Sequence, residues 1–151
     1  FAVGMASVPM VGMAIGADRV ARARRITWTA GAVSFVSVGA IATFIAIFPD
    51  LWVNLFTQDE GVRAASRQYL QTAAPMYAFI GLSMSMYFSS QGAAKVGGPV
   101  LAGTARLLLV AGGGWWLASS GAPAWTLFAL VGAAMVVLGL GSALSVRLAR
   151  W

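Results

Sequence analysis

Long runs without a charged residue alternate with short charged or turn-forming stretches along this chain of 151 residues. Residues 1–17 are uncharged but fall short of the ~20 residues that a spanning helix needs, so they read as a truncated first span. Residues 26–49 are uncharged, rich in Val, Ile and Phe, and long enough to cross a hydrocarbon core of about 30 Å with some tilt. Residues 73–94 form a further span, with Pro75 near its start either bending the helix or marking its true beginning. Residues 99–118 make another, interrupted only by Arg106, and residues 124–146 the last.

Between these runs lie the connections. In residues 50–72 charges return. Leu51, Trp52, Leu55 and Phe56 make an apolar patch suited to the membrane interface. Thr57 and Glu60 fit a capping box, and Asp59 and Arg63 stand four apart as a helical ion pair. A helix is therefore expected from near Gln58 into the next span. In KVGGP, residues 95–99, Gly97 and Gly98 are expected to supply a flexible turn and Pro99 to open the following helix. SSGAP, residues 119–123, is an uncharged turn. The pattern predicts an all-α polytopic membrane protein, a helical bundle of about four full transmembrane helices plus one truncated.

Composition supports that class. Hydrophobic residues make up 60% of the chain and charged residues 9%, against about a quarter charged in soluble domains. Cysteine and histidine are absent and acidic residues number four, so a thiolate or zinc site and a Ser-His-Asp triad are excluded. No enzyme activity, metal or cofactor is expected. The chain begins with Phe1, already inside an apolar run, and is expected to be the C-terminal part of something longer.

The net charge of +6 sits mostly beside span ends. Residues 9–25, PMVGMAIGADRVARARR, carry Gly12 and Gly16 on one helical face, a smooth strip for a neighbouring helix, and then a basic loop of Arg19, Arg22, Arg24 and Arg25. Segments this apolar exclude a soluble nucleic-acid-binding domain. If connections alternate sides, one side holds those four arginines with Lys95, Arg147 and Arg150. The other holds only Arg63 and Arg67, offset by Asp50, Asp59 and Glu60. Such asymmetry predicts a cytoplasmic arginine loop and C-terminus. Trp28, Trp52, Trp115, Trp116 and Trp125 lie at span ends, where aromatic belts form. Gly139 and Ala143 make a second small-residue face.

Polar side chains concentrate in one span, with Tyr77, Ser83, Ser85, Tyr87, Ser89, Ser90 and Gln91. At membrane depth such groups line a cavity or a helix interface, or else bond their own backbone. Arg106 is expected to snorkel to the interface or pair with carbonyls; turning inward to a partner is the alternative.

VGMAIGADRVARARR resembles the signature that follows an early span in each half of multidrug and toxic compound extrusion (MATE) transporters. Val11, Gly12, Gly16, Ala17, Arg22 and Ala23 match it, and Met13 stands where the family commonly has glutamine. LFTQDEGVRAASRQYLQTAAPMYAF (residues 55–79) and SSQGAAKVGGP (residues 89–99), followed by Arg106, are similar to later family segments in the same order.

The resemblance implies the C-terminal portion of a twelve-helix, two-lobe antiporter, from the end of its eighth span through its twelfth. Its partners would be the lipid bilayer, an N-terminal lobe and small organic cations, exported as sodium or protons enter. Some members place a cation-binding aspartate in the span that corresponds to residues 73–94. This chain has no carboxylate there, so either the coupling ion binds in the N-terminal lobe or this member couples differently. Tyr77, Ser83, Met84, Tyr87 and Gln91 become candidates for a substrate cavity, since Tyr and Met suit loosely specified aromatic cations. A plasma or inner membrane is the expected location. The alternatives are a lipid-linked oligosaccharide flippase, disfavoured because only Arg106 lies within a span, and a non-transporting scaffold.

Overall fold

The computed structural model describes residues 1–149, so Arg150 lies outside the described residues. Seven α-helices follow one another: α1 (Ala2–Gly16), α2 (Val20–Ile47), α3 (Pro49–Val53), α4 (Glu60–Ala73), α5 (Tyr77–Gly92), α6 (Gly97–Ser119) and α7 (Ala124–Leu148). A 3-10 turn, Ala74–Met76, joins α4 to α5. By length and composition α2, α6 and α7 can cross a membrane.

The bundle is organised around α5. Helices α1 and α2 pack on one side of it, α7 on the other, and α6 lies outermost against α7. The buried residues are small: apart from Met86 and Met135, the interior is made largely of Ala, Ser and Gly with a few Val and Thr. Small residues let backbones approach, and they do so at each α5 crossing. A Cβ added at Gly81 would lie 2.7 Å from the Ser34 carbonyl oxygen of α2, and one added at Gly92 would collide with the Val8 carbonyl oxygen of α1. On α7, a Cβ at Gly139 would lie 2.8 Å from the Phe79 carbonyl oxygen. Gly12 meets the end of α5 at Gly92, whereas Gly16 has nothing within 4 Å, so only half of the expected glycine strip is used.

Several local expectations are corrected. The basic stretch is not a loop: α2 begins at Val20, so Arg22, Arg24 and Arg25 are helical and Arg19 is the residue before the helix. Nothing in this Arg- and Ala-rich segment interrupts a helix, and both residues favour one. Residues 73–94 are not one continuous span. Pro75 sits in the 3-10 turn, and α5 alone, at 16 residues, is about 24 Å long. The three 3-10 residues add about 6 Å, bringing this discontinuous element to bilayer thickness.

At the start of α4 the cap is Asp59, not Thr57: its carboxylate accepts from the Val62 N–H at 3.0 Å, and the helix begins at Glu60. With that carboxylate committed to the backbone, Arg63 pairs with Glu60 at 3.7 Å rather than with Asp59. Gly97 and Gly98 fall within α6. The turn before it is closed by Ala94, at φ 55°, with the Lys95 N–H reaching back to the Ser90 carbonyl, a Schellman-type ending.

The chain ends obey the alternation that the charges imply. Arg24 at the start of α2 donates to the Ala149 carbonyl at 2.7 Å, so the arginine turn and the end of α7 share one face of the bundle. At the opposite face Tyr69 of α4 stacks edge-on against Phe128 of α7, with ring centroids 5.4 Å apart. There Arg67 bonds both Asp50 and Glu60, tying α3 to α4, and the paired carboxylates raise its pKa.

Candidate functional site on the central helix

Three hydroxyl pairs clamp α5. Ser89 meets Ser7 of α1 at 2.9 Å, Ser85 meets Ser34 of α2 at 2.5 Å, and Ser83 meets Ser142 of α7 at 3.1 Å. All six side chains are buried. In lipid a hydroxyl left alone is costly, so each pair fixes which faces of two helices meet. The expected cavity group therefore divides. Ser83 is turned into the α7 interface and away from any open space, because its hydroxyl finds a partner only there.

Tyr77, Met84, Tyr87 and Gln91 follow one another at near-heptad spacing and share the opposite stripe of α5. Met84 and Gln91 are exposed, and Tyr77 and Tyr87 half-buried. Tyr87 leans on Phe88 with ring centroids 5.9 Å apart. This stripe is the face of α5 that α1, α2 and α7 leave uncovered.

Its upper end is polar. The Tyr77 hydroxyl lies 2.9 Å from the Tyr69 hydroxyl of α4, across the 3-10 turn. Burial pushes the Tyr69 phenol up to about 12, the hydrogen bond to Tyr77 adds to this, and the positive charge of Arg106 opposes it. Tyr69 is thus a neutral hydrogen-bonding group at physiological pH. Arg106 of α6 is half-buried, and its Nε is buried without a hydrogen-bond partner among the described residues. Beside this cluster a cleft of about 410 Å³ is walled by Val38, Ile41, Ile45, Trp52, Leu70 and Tyr77. Among the described residues, no three His, Cys, Asp or Glu side chains gather where a metal ion could be held.

The sequence reading missed Tyr69 and the partner serines Ser7, Ser34 and Ser142. A signal existed for the serines: each is a hydroxyl set within a long uncharged, apolar run.

A discontinuous central helix, clamped on its small faces and open on a stripe of Tyr and Met, defines a polytopic helical membrane protein. The family model described as MatE matches residues 1–116, and the chain belongs to that family, whose members are transporters rather than enzymes. No match is found among curated proteins or among solved structures.

Proposed function

We propose that the chain is the C-terminal part of a secondary active multidrug efflux transporter, a sodium- or proton-coupled antiporter exporting organic cations and other xenobiotics. One observation carries this reading: the Tyr77, Met84, Tyr87 and Gln91 stripe stays uncovered while the other faces of α5 are fastened by buried serine pairs. Ring faces attract cations, and methionine adapts to varied shapes, so such a wall suits aromatic cations of no fixed outline. Small-residue crossings let helices slide against one another as alternating access requires.

Within this proposal the second wall of the cavity belongs to an N-terminal lobe, which also carries the coupling-ion site, since no carboxylate lies in a described span. The arginine turn and the C-terminus face the cytoplasm of a plasma or inner membrane. The test is efflux of a fluorescent organic cation from cells that make the protein. Alanine at Tyr77 and Tyr87 together is expected to lower efflux at equal expression. Unchanged efflux of every substrate tried would remove the cavity assignment, and no flux at all from reconstituted wild-type protein would favour a scaffold.

A further inference from the structure

A second feature lies away from α5, on the flank where α1 and α2 run side by side. Two clefts open there. One, about 220 Å³, is lined by Met10, Met13, Ala17, Arg19, Arg22 and Ile26. The other, about 400 Å³, is lined by Val3, Ala6, Met10, Arg25, Ile26 and Val33, among others. They share Met10 and Ile26 and so lie end to end, as a two-part groove along about 20 Å of the α1 and α2 flank from Arg19 to Val33. Apart from Ser7 and Thr29 its deep walls are apolar, and its mouth is cationic.

The mouth is unsatisfied. The Arg24 side chain is held on the Ala149 carbonyl, but the guanidinium groups of the exposed Arg19, Arg22 and Arg25 make no hydrogen bond or ion pair among the described residues. Asp18, exposed in the same turn, offsets only one of them. The Schellman-type ending of α1 fixes their placement: Asp18 sits at φ 58°, and the Arg19 N–H returns to the Ala14 carbonyl at 2.8 Å. Free guanidinium groups at a span end, above an apolar cleft, complement a molecule with a phosphate at one end and a hydrocarbon chain at the other.

We propose that the α1 and α2 groove binds an anionic phospholipid, its phosphate on Arg19, Arg22 and Arg25 and one acyl chain against Met10, Ile26 and Val33. The lipid bridges the first two helices where side-chain packing leaves space between them. A zwitterionic lipid carries the same chain but lacks the net charge, so the arginines discriminate between the two. The assignment is independent of what the transporter exports.

The experiment is native mass spectrometry of the purified protein titrated with phosphatidylglycerol and, separately, phosphatidylcholine. Retained phosphatidylglycerol and much weaker phosphatidylcholine are expected. Arg19→Gln with Arg22→Gln and Arg25→Gln should weaken phosphatidylglycerol binding about a hundredfold, from roughly fivefold per arginine. Arg147→Gln, on the same face but outside the groove, should leave it unchanged. Ala6→Phe, which fills the groove and keeps every charge, should also weaken it. If the triple variant does not fold, Arg22→Gln alone should give the fivefold loss.

Equal binding of the two lipids, or full binding by the folded arginine variants, would overturn the site. Displacement by glycerol phosphate at matched concentration would mark a soluble-phosphate site instead, and an unaffected Ala6→Phe would remove the acyl chain from the groove.

Discussion

Helices α5 and α6 are neighbours in sequence and opposites in environment. In α5, sixteen residues long, Ala78, Gly81, Ser83, Ser85, Met86, Ser89 and Ser90 are all buried. In α6, twenty-three residues long, only Pro99 and Ala102 are. Leu101, Leu107, Leu108, Trp115 and Trp116 of α6 stand largely exposed. The more polar helix is thus the inner one. In water this would be reversed, but lipid is as apolar as leucine, so leucine gains nothing by leaving it, whereas a serine gains a partner. Polarity marks the inside here, and bulk apolar surface marks the outside.

Adding volume is the hardest test of that contrast. Gly81→Leu pushes a side chain into the Ser34 carbonyl and Val38, and should cost about 3 kcal/mol or prevent folding. Gly112→Leu on α6, where nothing lies within 4 Å, should leave the thermal midpoint in detergent unchanged or raised. Equal losses from the two would erase the distinction between the helices.

The two helix ends sharpen it at smaller scale. Helix α6 closes through Gly121 at φ 68°, whereas α5 closes through Ala94 at φ 55°. Ala94→Gly should therefore stabilise by about 1 kcal/mol and Gly121→Ala destabilise by a similar amount, read from denaturant titrations. Smallest is the serine clamp. A double-mutant cycle of Ser34→Ala and Ser85→Ala should return a coupling of about 0.6 kcal/mol, the average for hydrogen bonds between membrane helices. A coupling of zero would mean that the glycine crossings alone hold α5 in register.

Much of the fold could be read from uncharged run lengths, because a bilayer imposes one dimension on every span. That reading placed α2, α6 and α7 to within a few residues, apart from the start of α2. It failed where local chemistry competes with the pattern. Asp59 caps α4 in place of Thr57 because its carboxylate reaches the Val62 N–H directly. The turn before α6 falls on Ala94 because helix-ending geometry is set by backbone bonds to Ser90 and Gln91, not by the nearest glycine.

Of the candidate site, the near-heptad stripe of Tyr77, Met84, Tyr87 and Gln91 was visible as a set of polar and soft residues, yet Ser83 was grouped with it. Spacing cannot tell an open face from one that a partner 59 residues away will cover. The Tyr69 and Tyr77 pair was hidden by the 3-10 turn, which changes the angular relation of two residues on either side of Pro75.

The serine pairs also imply an order of assembly. Ser7 and Ser34 enter the bilayer well before their partners are made, 82 and 51 residues later in the chain. Ser7 still donates to the Gly4 carbonyl of its own helix at 2.6 Å, the arrangement open to a lone hydroxyl awaiting a neighbour. The arrival of α5 completes both pairs, and α7 then brings Ser142 to Ser83. If helices enter in chain order, the early helices are held in place only loosely until α5 is translated, and a ribosome stalled before Gln91 should leave a protease-sensitive intermediate.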